Sequence, residues 1–303
     1  MDPKKIFVFT DSDLDGAASL LVLHWAFKAN PGDIKFQTVA VSNFRKEFLL
    51  WAAENSIENY DAVYFLDLDT STSSDLIDNK KSIIIDHHET HDVSKYKNAN
   101  TNVTITTSCA KLLYLHFKDK LTKLTNEQKY LIALANDYDS YTFKLAESYN
   151  LNCAFSNSQK SLGKSKAHKF LERFYNGFTG FTVQETNIIK EYTTGRDAAI
   201  SNLQVYSGTV SISKQNLLVT GTMGTRFVND VCDHLLKTYN SDIVFFVNTD
   251  SSHVSFRKKK TCNVNLAKLA EFLCSGGGHE YAAGGRISEK FMEFSKQLTP
   301  LSG

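Results

Sequence analysis

Three short apolar segments in the first ninety residues each run into acidic or imidazole side chains. The segments span residues 6–9, 62–66 and 83–85. Runs of β-branched and aromatic residues of this length are typical of strands buried on both faces. In open α/β sheets the carboxyl ends of the strands form the edge where ligands bind. We therefore expect an α/β fold whose N-terminal, mostly parallel sheet is flanked by helices and gathers polar groups at one edge.

The acids after the first segment are Asp11, Asp13 and Asp15, followed by Gly16 and an apolar helical stretch. A strand, an acidic turn and a helix in this order form the opening half of a βαβ unit. One acid is enough to cap a helix, whereas three crowded carboxylates repel one another unless a cation lies among them. The pattern therefore favours a metal site over capping alone.

The other two segments bring further metal-ligating groups to the same predicted edge. Asp67 follows the second segment, and Asp-His-His over residues 86–88 follows the third. Carboxylate and neutral imidazole are good ligands for Mn²⁺ or Zn²⁺. The tripeptide by itself is equally compatible with a polar turn, so the metal prediction depends on the recurrence at three strand ends.

One more acidic group ends a predicted apolar helix at residues 136–139, Asn-Asp-Tyr-Asp. Such a cluster is common at helix ends, but beside the earlier acids it offers a further ligand. We favour Asp137 in that role and leave open whether Asp69 or Asp139 also binds metal.

Composition excludes several other classes of protein. The chain has 303 residues and a net charge of +1, so any basic surface for nucleic acid must be local. No apolar run approaches the roughly 18 residues of a membrane span, and the first residues lack a signal-peptide core, so we expect a cytosolic protein. The five cysteines form no CxxC pair and are expected to be reduced. A homodimer is left open.

The second half of the chain changes to alternating strands from residue 205, after a polar helical stretch at 185–204. We therefore predict a metal-binding domain over residues 1–184, a helical linker over 185–204, and a smaller α+β domain over 205–303. This domain contains a glycine-rich loop after a predicted helix.

The loop offers candidate substrate-binding groups. The amides of Gly276, Gly277 and Gly278 are able to approach a phosphate closely because no side chain obstructs them. His279 and Arg286 would add positive charge. A glycine run after a helix is also a common C-cap, so the loop alone is weak evidence.

These elements, in this order, resemble the DHH phosphoesterase superfamily and its C-terminal DHHA1 domain. The resemblance is carried by residues 11–16, Asp67, the Asp-His-His at 86–88, Asp137, and Gly-Gly-Gly-His at 276–279. It implies a two-metal site, usually of Mn²⁺ with Mg²⁺ as the alternative, in the cleft between the domains.

The resemblance also implies a role for each matching residue. One ion would be held by Asp11, Asp13 and Asp67, and the other by Asp15, Asp67, His87 and Asp137. His88 would face the phosphate or donate a proton, while Asp86 would orient a histidine. Arg257 lies where the family has a phosphate-contacting arginine on a strand.

The expected activity is metal-dependent hydrolysis of short single-stranded oligonucleotides or linear dinucleotides to mononucleotides. The first motif is similar to that of RecJ-type exonucleases, and Phe9 stands where nanoRNases have a histidine, but 303 residues leave no room for the extra RecJ domains. Alternatives are a RecJ-like exonuclease on longer strands, a phosphatase of 3′-phosphorylated nucleotides, and an inactive nucleotide-sensing module. The choice of RNA or DNA and the polarity of attack stay open.

Overall fold

The computed structural model describes residues 5–105, 107–158, 165–278 and 280–301. His279, one of the predicted substrate-binding residues, lies outside the described residues. The chain divides into two compact units, Met1–Lys190 and Glu191–Gly303. The division falls inside the long helix Val183–Ser201. None of the described helices has both the length and the apolar character needed to cross a membrane.

The first unit alternates strands with helices. Its strands are β1 (Ile6–Thr10), β2 (Lys35–Thr38), β3 (Ala62–Leu66), β4 (Ser82–Asp86) and β5 (Asn100–Val103). Its helices are α1 (Leu14–Phe27), α2 (Phe44–Ala52), α3 (Ser74–Ile77), α4 (Cys109–His116), α5 (Asn126–Asp139), α6 (Ala146–Asn157), α7 (Lys166–Phe174) and α8 (Val183–Ser201), the last of which continues into the second unit.

The five strands form a parallel sheet in the order β2-β1-β3-β4-β5. After β1 the chain first adds β2 on one side and then β3 on the other. Such a reversal of strand order opens a crevice at the carboxyl ends of β1 and β3, because their following loops run to opposite faces. The expected α/β sheet is confirmed, and this crevice is where the acidic residues emerge.

Alternate residues of the central strands enter two apolar layers, as the period of two in a strand requires. Val8, Leu66 and Ile85 pack with α1, which is buried along nearly its whole length. Phe9 and Phe65, on the other face, pack with aromatic residues of α2. Burial on both faces leaves the strand ends as the place for polar side chains.

The second unit is a mixed sheet with helices on both faces. Its strands are β6 (Tyr206–Ile212), β7 (Gln215–Gly224), β8 (Ile243–Asn248), β9 (His253–Lys258), β10 (Gly277–Gly278), β11 (Ala282–Arg286) and β12 (Thr299–Pro300), in the order β10-β11-β9-β8-β7-β6-β12. Only the β7–β8 pair is parallel among these described strands.

The helices of this unit are α9 (Val228–Thr238), α10 (Leu266–Cys274) and α11 (Glu289–Ser295). Residues of α9 pack with Val244 and Phe246 of β8. Residues of α10 and α11 pack with Phe245 and Phe256 on the opposite face. The predicted α+β character of the second domain is confirmed.

Candidate metal centre

His87 belongs to two groups of potential metal ligands at the carboxyl edge of the parallel sheet. Its Nε2 atom lies 3.1 Å from Asp67 Oδ1, 3.5 Å from Asp139 Oδ2 and 3.8 Å from Asp15 Oδ2. Ligand atoms of Asp67, His87 and His88 lie within 4.8 Å of one another, as do those of Asp15, His87 and Asp139. Donor atoms from the ends of β3, β4, α5 and the start of α1 thus converge on one place.

Gly16 explains how α1 approaches the end of β1 so closely. A Cβ atom at this position would lie 2.3 Å from the carbonyl oxygen of Asp11, so any side chain would push the helix away. The Thr10 hydroxyl donates to the Gly16 carbonyl at 3.1 Å. This contact sets the first turn of α1 against the strand end and places Asp13 and Asp15 at the crevice.

The carboxylate of Asp15 also anchors a second helix. Its two oxygens accept hydrogen bonds from the amides of Cys109 at 2.6 Å and Ala110 at 3.0 Å, at the start of α4. Negative charge at a helix N-terminus is favourable. Each carboxylate oxygen has two lone pairs, so Asp15 retains capacity for a cation while its position is fixed.

Asp13 and Asp67 interact electrostatically at this edge. Asp13 caps α1 by accepting from the Gly16 amide at 2.9 Å, and its negative charge is one of the causes that raise the pKa of Asp67. Asp67 follows β3 with φ of 57°, an uncommon value for a non-glycine residue. Such backbone strain concentrates at functional sites.

The electrostatics of the cluster show a deficit of positive charge. Burial, followed by repulsion from Asp13, raises the pKa of Asp11 to about 6. Burial, followed by the charge of Asp139, raises the pKa of Asp15 to about 7. Burial and the neighbouring acids also raise the pKa of Asp67 well above its ordinary value. In the described part of the chain, no lysine or arginine forms an ion pair with these carboxylates.

These residues fit divalent cations. Crowded carboxylates with an imidazole are the donor set of hard to borderline metals, and an ion among them would offset the repulsion that raises their pKa values. Asp11, whose carboxylate accepts from the amide and hydroxyl of Ser12, belongs to the same edge. The site therefore has the chemistry of a metal centre.

Asp86 is a buried carboxylate shared by two histidines. Its oxygens lie 2.7 Å from His88 Nδ1 and 2.6 Å from His91 Nδ1. Burial alone would raise the pKa of Asp86, but the hydrogen bonds from His88 and His91 hold it below its ordinary value. Burial would lower the pKa of His88, but its bond to Asp86 and the nearby acids raise that pKa to about 9. The bond to Asp86 thus fixes the orientation of the His88 ring and favours its protonated form.

Asp137, which the sequence favours as a metal ligand, is held by hydrogen bonds of its own. Its oxygens accept from the Lys144 and Leu145 amides at 3.0 Å each, and from the hydroxyls of Thr142 and Ser148. Burial alone would raise the pKa of Asp137, but these hydrogen bonds lower it to about 2. Asp139 takes the place beside His87 instead.

The predicted substrate-binding residues of the second unit lie on neighbouring strands. Arg257, on β9, donates to the Phe256 carbonyl at 2.8 Å and to Asn229 Oδ1 at 2.7 Å. Arg286 is exposed at the end of β11. The adjacent Lys258 is buried and donates to Glu280 at 2.7 Å, so it serves the local structure.

Most of the loop glycines are required by close backbone packing. A Cβ at Gly276 would lie 2.1 Å from the Gly284 carbonyl oxygen, and one at Gly278 would lie 2.6 Å from the Ala282 carbonyl oxygen. A Cβ at Gly277 would meet nothing within 4 Å. Close backbone packing therefore does not explain why position 277 is a glycine.

The sequence alone does not assign two residues of the site, Asp139 and His91. The sequence leaves Asp139 open because residues 137 and 139 end the same helix, and helical geometry turns them to different sides. His91 follows the Asp-His-His by three positions, and nothing in its local sequence indicates that it reaches back to Asp86. Both assignments depend on tertiary contacts.

The chain combines a parallel α/β unit that carries a candidate metal centre with a second α/β unit that carries a glycine-rich strand pair. The model of the DHH family, N-terminal domain, matches residues 5–136, and that of the DHHA1 domain matches residues 221–300. The chain belongs to the DHH superfamily, with a DHHA1 domain. Members of this superfamily are phosphoesterases and nucleases, so the chain is a hydrolase of phosphoric ester bonds.

Solved structures share this fold at low sequence identity. The pGpG-specific phosphodiesterase PggH from Vibrio cholerae is 12% identical with a TM-score of 0.62, over 97% of this chain and 96% of that one. RecJ from Thermus thermophilus, in complex with Mn²⁺, is 14% identical with a TM-score of 0.59, over 97% of this chain but 51% of RecJ. An exopolyphosphatase-related protein from Bacteroides fragilis is 16% identical with a TM-score of 0.57, over 97% and 92% of the two chains. No curated protein matches the sequence significantly.

Proposed function

We propose that the protein is a metal-dependent phosphodiesterase that hydrolyses short single-stranded oligonucleotides or linear dinucleotides to mononucleotides. The observation that carries this proposal is the carboxylate cluster around His87 beside a His88 held by Asp86. The similarity to PggH over nearly the full length of both chains supports a small substrate, whereas the chain spans about half of RecJ.

The metal ligands in this proposal form what we call the acidic edge, which comprises Asp11, Asp13, Asp15, Asp67, His87 and Asp139. Asp11, Asp13 and Asp67 would hold one ion, and Asp15, Asp67, His87 and Asp139 the other, with Mn²⁺ preferred and Mg²⁺ the alternative. When bound, two such cations supply positive charge to the scissile phosphate and lower the pKa of water. This assignment replaces Asp137 with Asp139 because of its position beside His87.

The role of His88 follows from its hydrogen bond. With Nδ1 held by Asp86, the protonated ring is oriented so that Nε2 donates to an oxygen of the phosphate or of the leaving group. The hydrogen bond to Asp86 favours the protonated ring because it raises the pKa of His88. Asp86 itself acts as a positioning residue.

The DHHA1 domain would bind the substrate through positive charge and exposed amides. Contacts with Phe256 and Asn229 fix the Arg257 guanidinium, which has further N–H donors for a phosphate. We assign Arg286, His279 and the Gly276–Gly278 amides the same task, with Gly277 the least hindered of the three.

The test is hydrolysis of single strands of increasing length with Mn²⁺. We expect mononucleotide release to be fastest from dinucleotides, slower from pentamers, and slowest from strands of about 20 nucleotides. Activity that rises with length would favour the RecJ-like alternative. Release of phosphate from a 3′-phosphorylated nucleotide, without cleavage of dinucleotides, would favour the phosphatase.

Two substitutions separate an enzyme from an inactive nucleotide-binding module. Asp67→Ala and His88→Ala should each abolish hydrolysis while circular dichroism shows an intact fold. Unchanged turnover in both variants would contradict the proposed site. Nucleotide binding by a wild-type protein that hydrolyses none of these substrates would support the sensing module.

A further inference from the structure

An exposed cluster of aromatic rings follows directly on the acidic edge. We call Tyr138, Tyr141 and Phe143 the aromatic cluster. The Tyr141 and Phe143 ring centroids lie 5.5 Å apart, and Phe143 and Tyr138 lie 5.8 Å apart, both pairs edge to face. Tyr138 packs against the core, whereas Tyr141 is 59% exposed and Phe143 43% exposed. The cluster is therefore anchored on one side and open to solvent on the other.

The backbone of this segment is held in an uncommon conformation. Tyr141 has φ of 52° and Phe143 has φ of 47°, in the left-handed region that bulky residues rarely adopt. Asp137 holds the segment by accepting from the amides of Lys144 and Leu145. A strained backbone that turns two large rings toward solvent is not explained by core packing. Such strain is characteristic of sites that bind ligands.

The cluster begins within two residues of the candidate metal centre. Asp139 lies beside His87, and Tyr141 follows it by two positions, so their Cα atoms are at most about 7.6 Å apart. A nucleotide places its base at a similar distance from its phosphate. Tyr141 and Phe143 therefore lie on the segment that leaves the acidic edge, next to the place where the base of a nucleotide bound there by its phosphate would be.

We infer that the aromatic cluster is a stacking platform for a nucleobase of the substrate, with Tyr141 and Phe143 as the contacting residues. This inference rests on the proposed function, which supplies the phosphate at the acidic edge. Every base has a flat π-face, so stacking binds single-stranded nucleotides with little dependence on sequence. The edge-to-face contacts hold the rings before the substrate arrives.

The first test compares a dinucleotide with an analogue in which one nucleotide at a time lacks its base. In the wild type, loss of the stacked base should raise KM roughly 10-fold. In the Tyr141→Ala/Phe143→Ala double variant, KM for the intact dinucleotide should rise by a similar factor, and the difference between the two substrates should disappear.

Matched variants separate stacking from a general loss of structure. Tyr141→Phe retains the ring and should retain the wild-type KM. Phe272→Ala removes an exposed ring from the second unit and should leave the KM of both substrates unchanged. An equal rise in KM for the intact and the abasic substrate in the double variant would overturn the inference.

A binding measurement keeps the inference testable apart from catalysis. A dinucleotide containing 2-aminopurine is titrated with protein in Ca²⁺ under conditions without turnover, because stacking on an aromatic ring quenches its fluorescence. The wild type should quench the probe, and the double variant should bind it roughly 10-fold more weakly with little quenching. Equal quenching by both proteins would overturn the platform. The wild type could quench the probe and the double variant not, while the wild type hydrolyses no dinucleotide. That result would uphold the platform and contradict the proposed function.

Discussion

The buried ring of His91 holds Asp86 from the side opposite His88. His91 Nδ1 lies 2.6 Å from one oxygen of Asp86, and His91 Nε2 lies 3.2 Å from the hydroxyl of Tyr96. Tyr96 in turn contacts the Thr70 hydroxyl at 2.8 Å. This chain of hydrogen bonds ties the orientation of His88 to the loop after β3, because the carboxylate between the histidines is fixed at both oxygens.

Replacement of His91 tests this relationship. His91→Leu should lower kcat roughly 10-fold or more with little change in KM, and lower the free energy of unfolding by about 1–3 kcal/mol, because one oxygen of buried Asp86 loses its donor. His91→Asn places an amide near the position of Nδ1. Compared with His91→Leu, it should restore part of kcat and part of the free energy of unfolding. A change in KM alone would contradict a positioning role.

Asp137 and Asp139 make a matched pair for the metal assignment. Asp139→Asn should weaken Mn²⁺ binding roughly 10-fold or more without lowering thermal stability, since it removes one charge from carboxylates that repel one another. Asp137→Asn should lower the free energy of unfolding by about 1–3 kcal/mol, because it replaces an acceptor of several hydrogen bonds.

Titration calorimetry with Mn²⁺ and chemical denaturation measure the two effects in each variant. The reverse pattern, with metal binding lost in a stable Asp137→Asn protein, would restore the assignment that the sequence favours.

The glycine-rich strand pair offers a second contrast. Gly284→Ala should lower the free energy of unfolding by several kcal/mol, because its Cβ would lie 2.3 Å from the Val254 carbonyl oxygen. Gly277→Ala should change stability by about 0.5 kcal/mol or less, since its Cβ would meet nothing within 4 Å. An increase in KM for Gly277→Ala at unchanged stability would support a substrate contact there, and an unchanged KM would remove Gly277 from the binding groups.

The metal-free protein should lose stability as pH rises from about 6 to 9. His88, with a folded pKa of about 9, contributes stability that is fully present below its unfolded pKa of about 6.5 and is lost as pH rises through 9. Asp11 and Asp15, with folded pKa values of about 6 and about 7, bind protons more tightly when folded, so their contribution also falls with rising pH up to about 7.

Thermal denaturation in EDTA should show a Tm several degrees lower at about pH 9 than at about pH 6. Saturating Mn²⁺ should reduce or reverse this difference, because the metal binds the deprotonated carboxylates. A Tm in EDTA that is constant or rises over this range would contradict the charge deficit of the cluster.

Much of the fold follows from local pattern. The apolar runs before Asp11, Asp67 and Asp86 are strands, and the acids emerge at their carboxyl ends, because strands buried on both faces leave polar residues only the edge. Thr125 forms the capping box of α5 with Gln128, three residues further along the chain. Such features depend on residues close in sequence.

The choice between neighbouring polar residues was decided by the tertiary structure. Asp137 and Asp139 are chemically identical and end one helix, yet the segment from Thr142 to Ser148 supplies donors to the first, and His87 from a distant strand faces the second. The roles that we propose for His91, Tyr141 and Phe143 depend on tertiary contacts in the same way. The sequence determined which chemical groups were available and where strands ended, while contacts between distant segments decided which of those groups met, because partners remote in sequence leave no periodic pattern to read.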